Sequence, residues 1–452
     1  MPNPSCPSPC NVLLLGNGGR EHALAWRLRQ SPRLGALWLA NPGNAGLDAL
    51  GRACPEPMDL KNAFQMKRWC DRNDIHLVVV GPEGPLAAGI VDALAAPHRQ
   101  VFGPTREAAR LEADKAFAKQ VMRHAAIPTA EARVFTDPSA ARRYVEARDE
   151  PFVVKATGLC AGKGVVVCDD LEEALGAIDR MMVRAEFGDA GRTVMIEERM
   201  SGPEVSVLAF VDGRTIWVMD PCQDHKRVGE GDTGPNTGGM GAYCPTPVID
   251  DRTLTIVERE ILVPTVDALR RDGVVYRGVL YAGIMLTPAG PKVLEFNCRF
   301  GDPECQPLML RLRSDLVELL WATCTGALDE AEVRFDPRPA CCVVMCSAGY
   351  PGAVEKGAPI EGLDKVGELA GEGEEIVVFH AGTARGPDGS IVTSGGRVLG
   401  VTAMAGTLEA ARDLANRGCD RIAFPGAHFR RDIGAKAAPA AGRPNELPTE
   451  SS

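Results

Sequence analysis

A short apolar run at 11–15 passes directly into Gly16-Asn17-Gly18-Gly19-Arg20-Glu21 and then into a helical segment at 22–30. Strand, glycine turn and helix in that order open a doubly wound, parallel α/β sheet. A dinucleotide fingerprint needs glycine at position 21, where Glu21 stands, so the turn is not read as an NAD or FAD site. The N–H groups at the start of such a helix still suit a phosphate. Further strands are expected at 37–40 and 77–80. The second leads into a loop, Gly81-Pro82-Glu83-Gly84-Pro85-Leu86, at the carboxyl edge where doubly wound sheets bind ligands. A last short strand at 101–104 closes this unit.

The next unit changes character. Residues 105–126 read as one helix with Thr105 as N-cap, carrying Lys115 and Lys119 one turn apart on a face that would ordinarily be solvated. A strand at 152–155, ending in Lys155, enters the glycine-rich stretch 156–164, and a second β run follows at 165–167. This is not a P-loop. The spacing is one residue short, no Ser or Thr follows Lys163, and a strand follows where a helix is required. Two strands joined by a glycine loop form a flap, whose N–H groups and Lys163 can fold over a triphosphate.

A helix with Asp170 and Glu173 at capping-box spacing is expected at 170–184, and a strand at 193–198. Asp212-Gly213 marks a hairpin between 205–211 and 214–219. A long helical segment at 250–271 should kink near Pro264. Strands follow at 278–286 and 292–297. In the second, Glu295 and Asn297 are two apart and face the same side. A carboxylate and an amide oxygen are hard donors of the kind Mg²⁺ accepts, with phosphates and water completing the shell.

Between these elements lies 223–243, QDHKRVGEGDTGPNTGGMGAY, with no helical or strand period. Its glycines allow close backbone approach, and Lys226 and Arg227 supply charge, so it reads as a cradle for an anionic, polyhydroxylated ligand. The stretch resembles the signature of the phosphoribosylamine–glycine ligases (glycinamide ribonucleotide synthetases), within the ATP-grasp superfamily. The segment Glu295 to Glu304, EFNCRFGDPE, is similar to that family's metal and substrate segment. The similarity extends over about 11–434. Asp114, Thr157 and Cys160 depart from the family's usual serine, aspartate and alanine.

The resemblance implies an α/β chain of three parts: an N-terminal substrate-binding domain at 11–104, an ATP-grasp domain at 105–330 with a small flap subdomain at 127–198, and a C-terminal domain at 331–434. Tails are expected at 1–10 and 435–452, the latter disordered. It implies that Lys115, Lys155, Gly162, Lys163 and Gly164 face the ATP phosphates, and that Glu197, Glu198, Arg199 and Met200 face adenine. Glu204 would take the ribose hydroxyls. Glu295 and Asn297 would hold Mg²⁺ or Mn²⁺. Asn17, Gly18, Gly19, Arg20, Glu83, Asp224, Lys226, Arg227, Asn236, Gly239 and Gly301 would line the substrate site. Arg299 would orient the glycine carboxylate and acyl phosphate, and Asp302 an amine; with Lys155 these are the catalytic candidates. The reaction implied joins glycine to 5-phosphoribosylamine through glycyl phosphate, with ATP as co-substrate, in de novo purine biosynthesis. The alternatives are another ATP-grasp carboxylate–amine ligase or carboxylase of nucleotide metabolism, and a noncatalytic relative. The signature stretch argues against the former. Intact Lys115, Lys155, Glu204, Glu295 and Asn297 argue against the latter.

Composition agrees with a soluble chain of 452 residues, 45% hydrophobic and 24% charged. A net charge of −10 argues against nonspecific nucleic-acid binding. The fifteen cysteines show no C-x-x-C pairing and read as free, mostly buried thiols of a reducing compartment. No membrane span or signal peptide is expected; the cytoplasm is, as is a monomer or weak homodimer.

Overall fold

The computed structural model describes residues 5–55, 63–160 and 163–437. The first unit is a five-stranded parallel sheet in the order Arg52–Ala53, Leu34–Leu39, Cys10–Leu15, Leu77–Val80, Gln100–Phe102. The run at 12–15 is apolar throughout because the sheet is covered on both faces: Leu13 and Leu15 pack into one core, Val12 and Leu14 into another. The order reverses between Cys10–Leu15 and Leu77–Val80, so the turns after both strands meet there. The helix after the first turn begins early, at Gly19. Residues 81–86 are not a free loop: a helix, Glu83–Ala88, starts two residues beyond Gly81.

The segment 105–126 is not one helix. Asp114, at φ −137° and ψ 93°, ends Arg110–Ala113 and caps Lys115–His124, its Oδ1 accepting from the Phe117 N–H at 3.0 Å. Aspartate thus does here what a serine N-cap would do.

Two antiparallel sheets follow. The small one runs Ala132–Phe135, Val194–Glu198, Phe152–Ala156, Val165–Val167. The larger runs Ile216–Val218, Glu204–Val211, Gly278–Thr287, Gly290–Asn297. The 250–271 helix is interrupted by a wide π turn, Glu258–Leu262. Pro264 lacks the N–H that would bond the carbonyl four residues earlier, and the turn absorbs the defect.

The third sheet is antiparallel: Gln223–Asp224, Gly241–Cys244, Ala340–Cys346, Arg397–Met404, Glu375–His380. Both ends of the glycine-rich stretch are therefore strands of the C-terminal sheet. Its middle is a two-stranded ribbon, Arg227–Gly229 with Thr233–Asn236. The stretch has more regular structure than its sequence period indicates.

The units share cores. Phe102 of the first sheet stacks on Phe300 at 6.4 Å, and Phe300 meets Phe210 of the large sheet edge-on at 5.8 Å. Each buried aromatic of this kind contributes about 1.5–3 kcal/mol. All fifteen cysteines are free, and all but Cys6 and Cys160 are buried.

Candidate active site

Glu295 is the focus of charge. Its carboxylate is held below the usual range: burial opposes ionisation, but Lys226, Lys155, Lys115 and Arg299 outweigh it. Among the described residues nothing donates a hydrogen bond to it, so the oxygens stay available. Asn297, two residues on, is buried, and its Oδ1 accepts from Arg299 Nη2 at 3.1 Å. Among the described residues no cluster of three or more His, Cys, Asp or Glu could hold a metal alone. A carboxylate and an amide oxygen, ringed by cations that would also face phosphate, fit a hard divalent ion completed by a nucleotide's own oxygens.

Lys155 projects from the small sheet across the cleft, its Nζ 3.2 Å from the Leu294 carbonyl in the large one. It also pairs with Glu197 at 2.6 Å, and Lys119 takes the other oxygen at 2.8 Å. This corrects two readings. Lys119 is not on a solvated face: it is 5% exposed and also donates to Thr129 Oγ1 and the Ala130 carbonyl. The Glu197 side chain does not face adenine, because its carboxylate is spent on the two lysines. They keep it ionised against its burial. Strand alternation sends Glu198 to the opposite face, where it meets Lys292 at 3.2 Å.

Lys115 Nζ reaches the Gly158 carbonyl at 3.3 Å, at the root of the flap. Lys163 is exposed on the flap, and Gly162 lies outside the described residues. A Cβ at Gly164 would lie 2.7 Å from the Cys160 Sγ, so glycine is required there beside that cysteine. Thr157 Oγ1 donates to the Thr193 carbonyl at 3.2 Å. Arg199 pairs with Asp169, Met200 is half-buried, and Glu204 lies 3.6 Å from Lys226. Against the cost of desolvation, Glu204, Glu295, Asp224 and Glu304 raise the proton affinity of Lys226.

The N-terminal turns converge on the same cleft. Glu21 caps its helix, Oε2 accepting from the Gly18 N–H at 2.6 Å, and fills the elbow: a Cβ at Gly81 would sit 2.0 Å from its Oε1. The Gly18 N–H is therefore not free for a phosphate, contrary to expectation. Asn17 receives Asn44 Nδ2 at its carbonyl. Arg20 crosses to the Phe300 carbonyl at 2.7 Å. Glu83 stands 3.8 Å from Arg20 and 3.5 Å from Arg299. Arg299 is also held by Glu112 at 2.8 Å, a buried residue for which the sequence carried no motif.

Asp302 receives Gln306 Nε2 at 3.0 Å and lies 3.4 Å from Arg397. Burial works against its ionisation, and Arg397 and Arg20 overcome it. Arg397 also donates to the carbonyls of Asp302, at 2.7 Å, and Gly238, at 2.6 Å. The C-terminal unit thus closes the site with Arg397, a residue for which the sequence carried no motif. Gly301 lies against Glu304, where a Cβ would come within 2.2 Å of Oε2. Gly239, at φ +112°, lets the Asp224 carboxylate approach Pro303. Arg227 and Asn236 face each other across the exposed ribbon, and the Arg227 guanidinium donates to the Gly234 carbonyl at 2.7 Å.

A cleft between two antiparallel sheets, with Lys155 of the smaller reaching across to the strand that carries a Glu–Asn pair on the larger, defines an ATP-grasp enzyme. Three consecutive segments match the phosphoribosylglycinamide synthetase family: its N domain at 10–112, its ATP-grasp (A) domain at 113–305 and its C domain at 340–436. The chain belongs to this family of phosphoribosylamine–glycine ligases. It is 53% identical over 439 residues to the phosphoribosylamine–glycine ligase of Rhodopirellula baltica, covering 95% of this chain and 98% of that one. It is 50% identical over 428 residues to the trifunctional purine biosynthetic protein adenosine-3 of Gallus gallus, covering 94% of this chain and 42% of that one. The crystal structure of the phosphoribosylamine–glycine ligase of Thermotoga maritima superposes with a TM-score of 0.78 at 32% identity, covering 94% of this chain and all of that one.

Proposed function

We infer that this chain is an ATP-dependent carbon–nitrogen ligase that joins glycine to 5-phosphoribosylamine in purine biosynthesis. Family membership along nearly the whole chain carries this reading. The cation-ringed Glu295 supports it, because phosphoryl transfer to a carboxylate needs concentrated positive charge beside a metal ligand.

The charges and distances in the cleft support the following residue roles. Glu295 and Asn297 would hold Mg²⁺ or Mn²⁺, which neutralises phosphate charge when bound. Lys115, Lys155 and the flap around Lys163 and Gly164 face the triphosphate; Glu197 acts indirectly, by aiming Lys155. Arg199, Met200 and the backbone at 197–198 border the adenine, and Glu204 the ribose. As the flap closes, water is excluded while the glycine carboxylate attacks the γ-phosphorus. Arg299, fixed by Glu112, orients the carboxylate and the resulting acyl phosphate. Arg20, Glu83 and Asp302 on one wall, and Lys226, Arg227, Asn236 and Gly239 on the other, hold phosphoribosylamine. Among the described residues no helix is long and apolar enough to cross a membrane.

The test is ADP release with ATP and Mg²⁺, comparing glycine alone, phosphoribosylamine generated in place, and both. Release that depends on both substrates is expected. Release with a different acid and none with glycine would remove the substrate assignment.

A further inference from the structure

When an amine attacks an acyl phosphate, the nitrogen that forms the new bond carries a proton it must lose. The carboxylates of the cleft are candidates to take it, and most are already committed. Arg299 lies beside both Glu83 and Glu112. Asp302 is held by Gln306 and Arg397. Glu304 accepts from Tyr281 at 2.6 Å and from Ser206 at 3.0 Å. Glu204 faces Lys226, and Glu295 is the metal candidate.

Asp224 differs. Its Oδ1 is buried and has no hydrogen-bond partner among the described residues. A lone acceptor of this kind is costly unless a ligand donates to it. Its position is built for contact. A Cβ at Gly239 would lie 2.9 Å from Asp224 Oδ1 and 2.5 Å from Pro303 Cδ, so glycine is required there for the carboxylate to meet the 302–304 turn. Lys226, two residues along, faces Glu295 and the phosphoryl half of the cleft. Asp302, on the other side, lies 3.6 Å from where a Gly18 Cβ would be, in the phosphoribosyl half. Asp224 stands between the halves, where acyl carbon and amine must meet.

We propose that Asp224 is the proton acceptor of the second half-reaction. The phosphoribosylamine nitrogen forms its bond to the acyl carbon of glycyl phosphate. The bond from that carbon to the phosphate oxygen breaks, its electron pair leaving with phosphate, and the nitrogen's proton passes to Asp224 Oδ1. Asp224 then releases the proton as the site opens. The assignment rests on the ligase reading above. Its environment matches the role: burial first, then the nearby Glu304, raises its proton affinity well above that of an ordinary carboxylate, while Lys226 and Arg397 oppose full neutralisation.

The test uses two nucleophiles. Hydroxylamine traps an acyl phosphate without help from a base, giving glycine hydroxamate from ATP and glycine alone. In Asp224→Asn, ligation to phosphoribosylamine should fall about 10²–10⁴-fold, the usual worth of a general base. Hydroxamate formation should fall much less, by under about tenfold, and the acidic limb of the wild-type kcat profile should disappear. Asp224→Glu should recover part of the ligation rate. Ligation by the Asn variant within about tenfold of wild type would overturn the proposal, and so would an equal fall in both reactions, which marks a positioning role. Absence of ADP release from the wild type with glycine and phosphoribosylamine together would instead overturn the ligase reading, and the proposal with it.

Discussion

Arg430 Nη1 lies 2.9 Å from Asp232 Oδ1, joining a segment near the end of the described chain to the tip of the glycine-rich ribbon. The arginine is 1% exposed; it also donates to the Arg227 carbonyl at 2.9 Å and to Asp432 at 2.7 Å. Asp432 in turn accepts from the Gly231 N–H. An isolated two-stranded ribbon is marginal in water, so this anchor accounts for its order.

Arg430→Met should therefore loosen the ribbon before it loosens the sheets. The amides of 227–236 should lose hydrogen-exchange protection, and KM for phosphoribosylamine should rise about tenfold or more, as befits loss of roughly 1.4 kcal/mol or more of binding, with KM for ATP nearly unchanged. Arg430→Lys should not rescue, because one ammonium cannot replace a planar fork that serves two carboxylates and a carbonyl.

Glu197 sits between two lysines in a largely dry site. Removing one partner from a buried ion pair typically costs about 3–5 kcal/mol. Glu197→Gln should lower the urea midpoint accordingly and weaken ATP binding, measured calorimetrically, because Lys119 and Lys155 lose their shared counter-charge. Unchanged ATP affinity would mean that Lys155 does not depend on Glu197 for its aim.

Two buried histidines join the N- and C-terminal units. His22 Nδ1 accepts from the His380 N–H at 2.7 Å. Burial, with His380 nearby, lowers His22 to about 3; burial, with Arg385, lowers His380 to about 4. Unfolded histidine titrates near 6.5. Their contribution is thus whole above about pH 6.5 and is lost as pH falls toward 4, since the unfolded chain binds protons that the fold refuses. The loss approaches about 1.4 kcal/mol per pH unit for each histidine. Urea midpoints between pH 7 and 4.5 check this; His22→Asn, which keeps an acceptor, should flatten the slope by about half.

Glu295→Ala should abolish turnover while leaving a cooperative unfolding transition. Turnover near wild type with Mg²⁺ would remove the metal assignment.

What the sequence disclosed, it disclosed through local rules. Period-two spacing put Glu295 and Asn297 on one face, and apolar runs ending in glycine marked the strands that meet at the cleft. It did not disclose partners distant in the chain. Lys119 and Glu197, or Glu112 and Arg299, become neighbours only when separate elements pack, and no spacing encodes that. The ribbon strands carry no apolar alternation because Val228 alone packs against a core, and the rest is anchored by Arg430. The break at Asp114 was hidden because both helix segments bury residues in the same core, so the apolar period runs on through the cap.

The central claim is that the carboxylate of glycine, not the amine, takes the phosphoryl group. Glycine labelled with ¹⁸O in its carboxylate tests it directly. Turnover with ATP and phosphoribosylamine should deliver one labelled oxygen from glycine into each inorganic phosphate released. Unlabelled phosphate at normal ligation rates would contradict the acyl phosphate, and with it the roles given to Arg299 and Asp224.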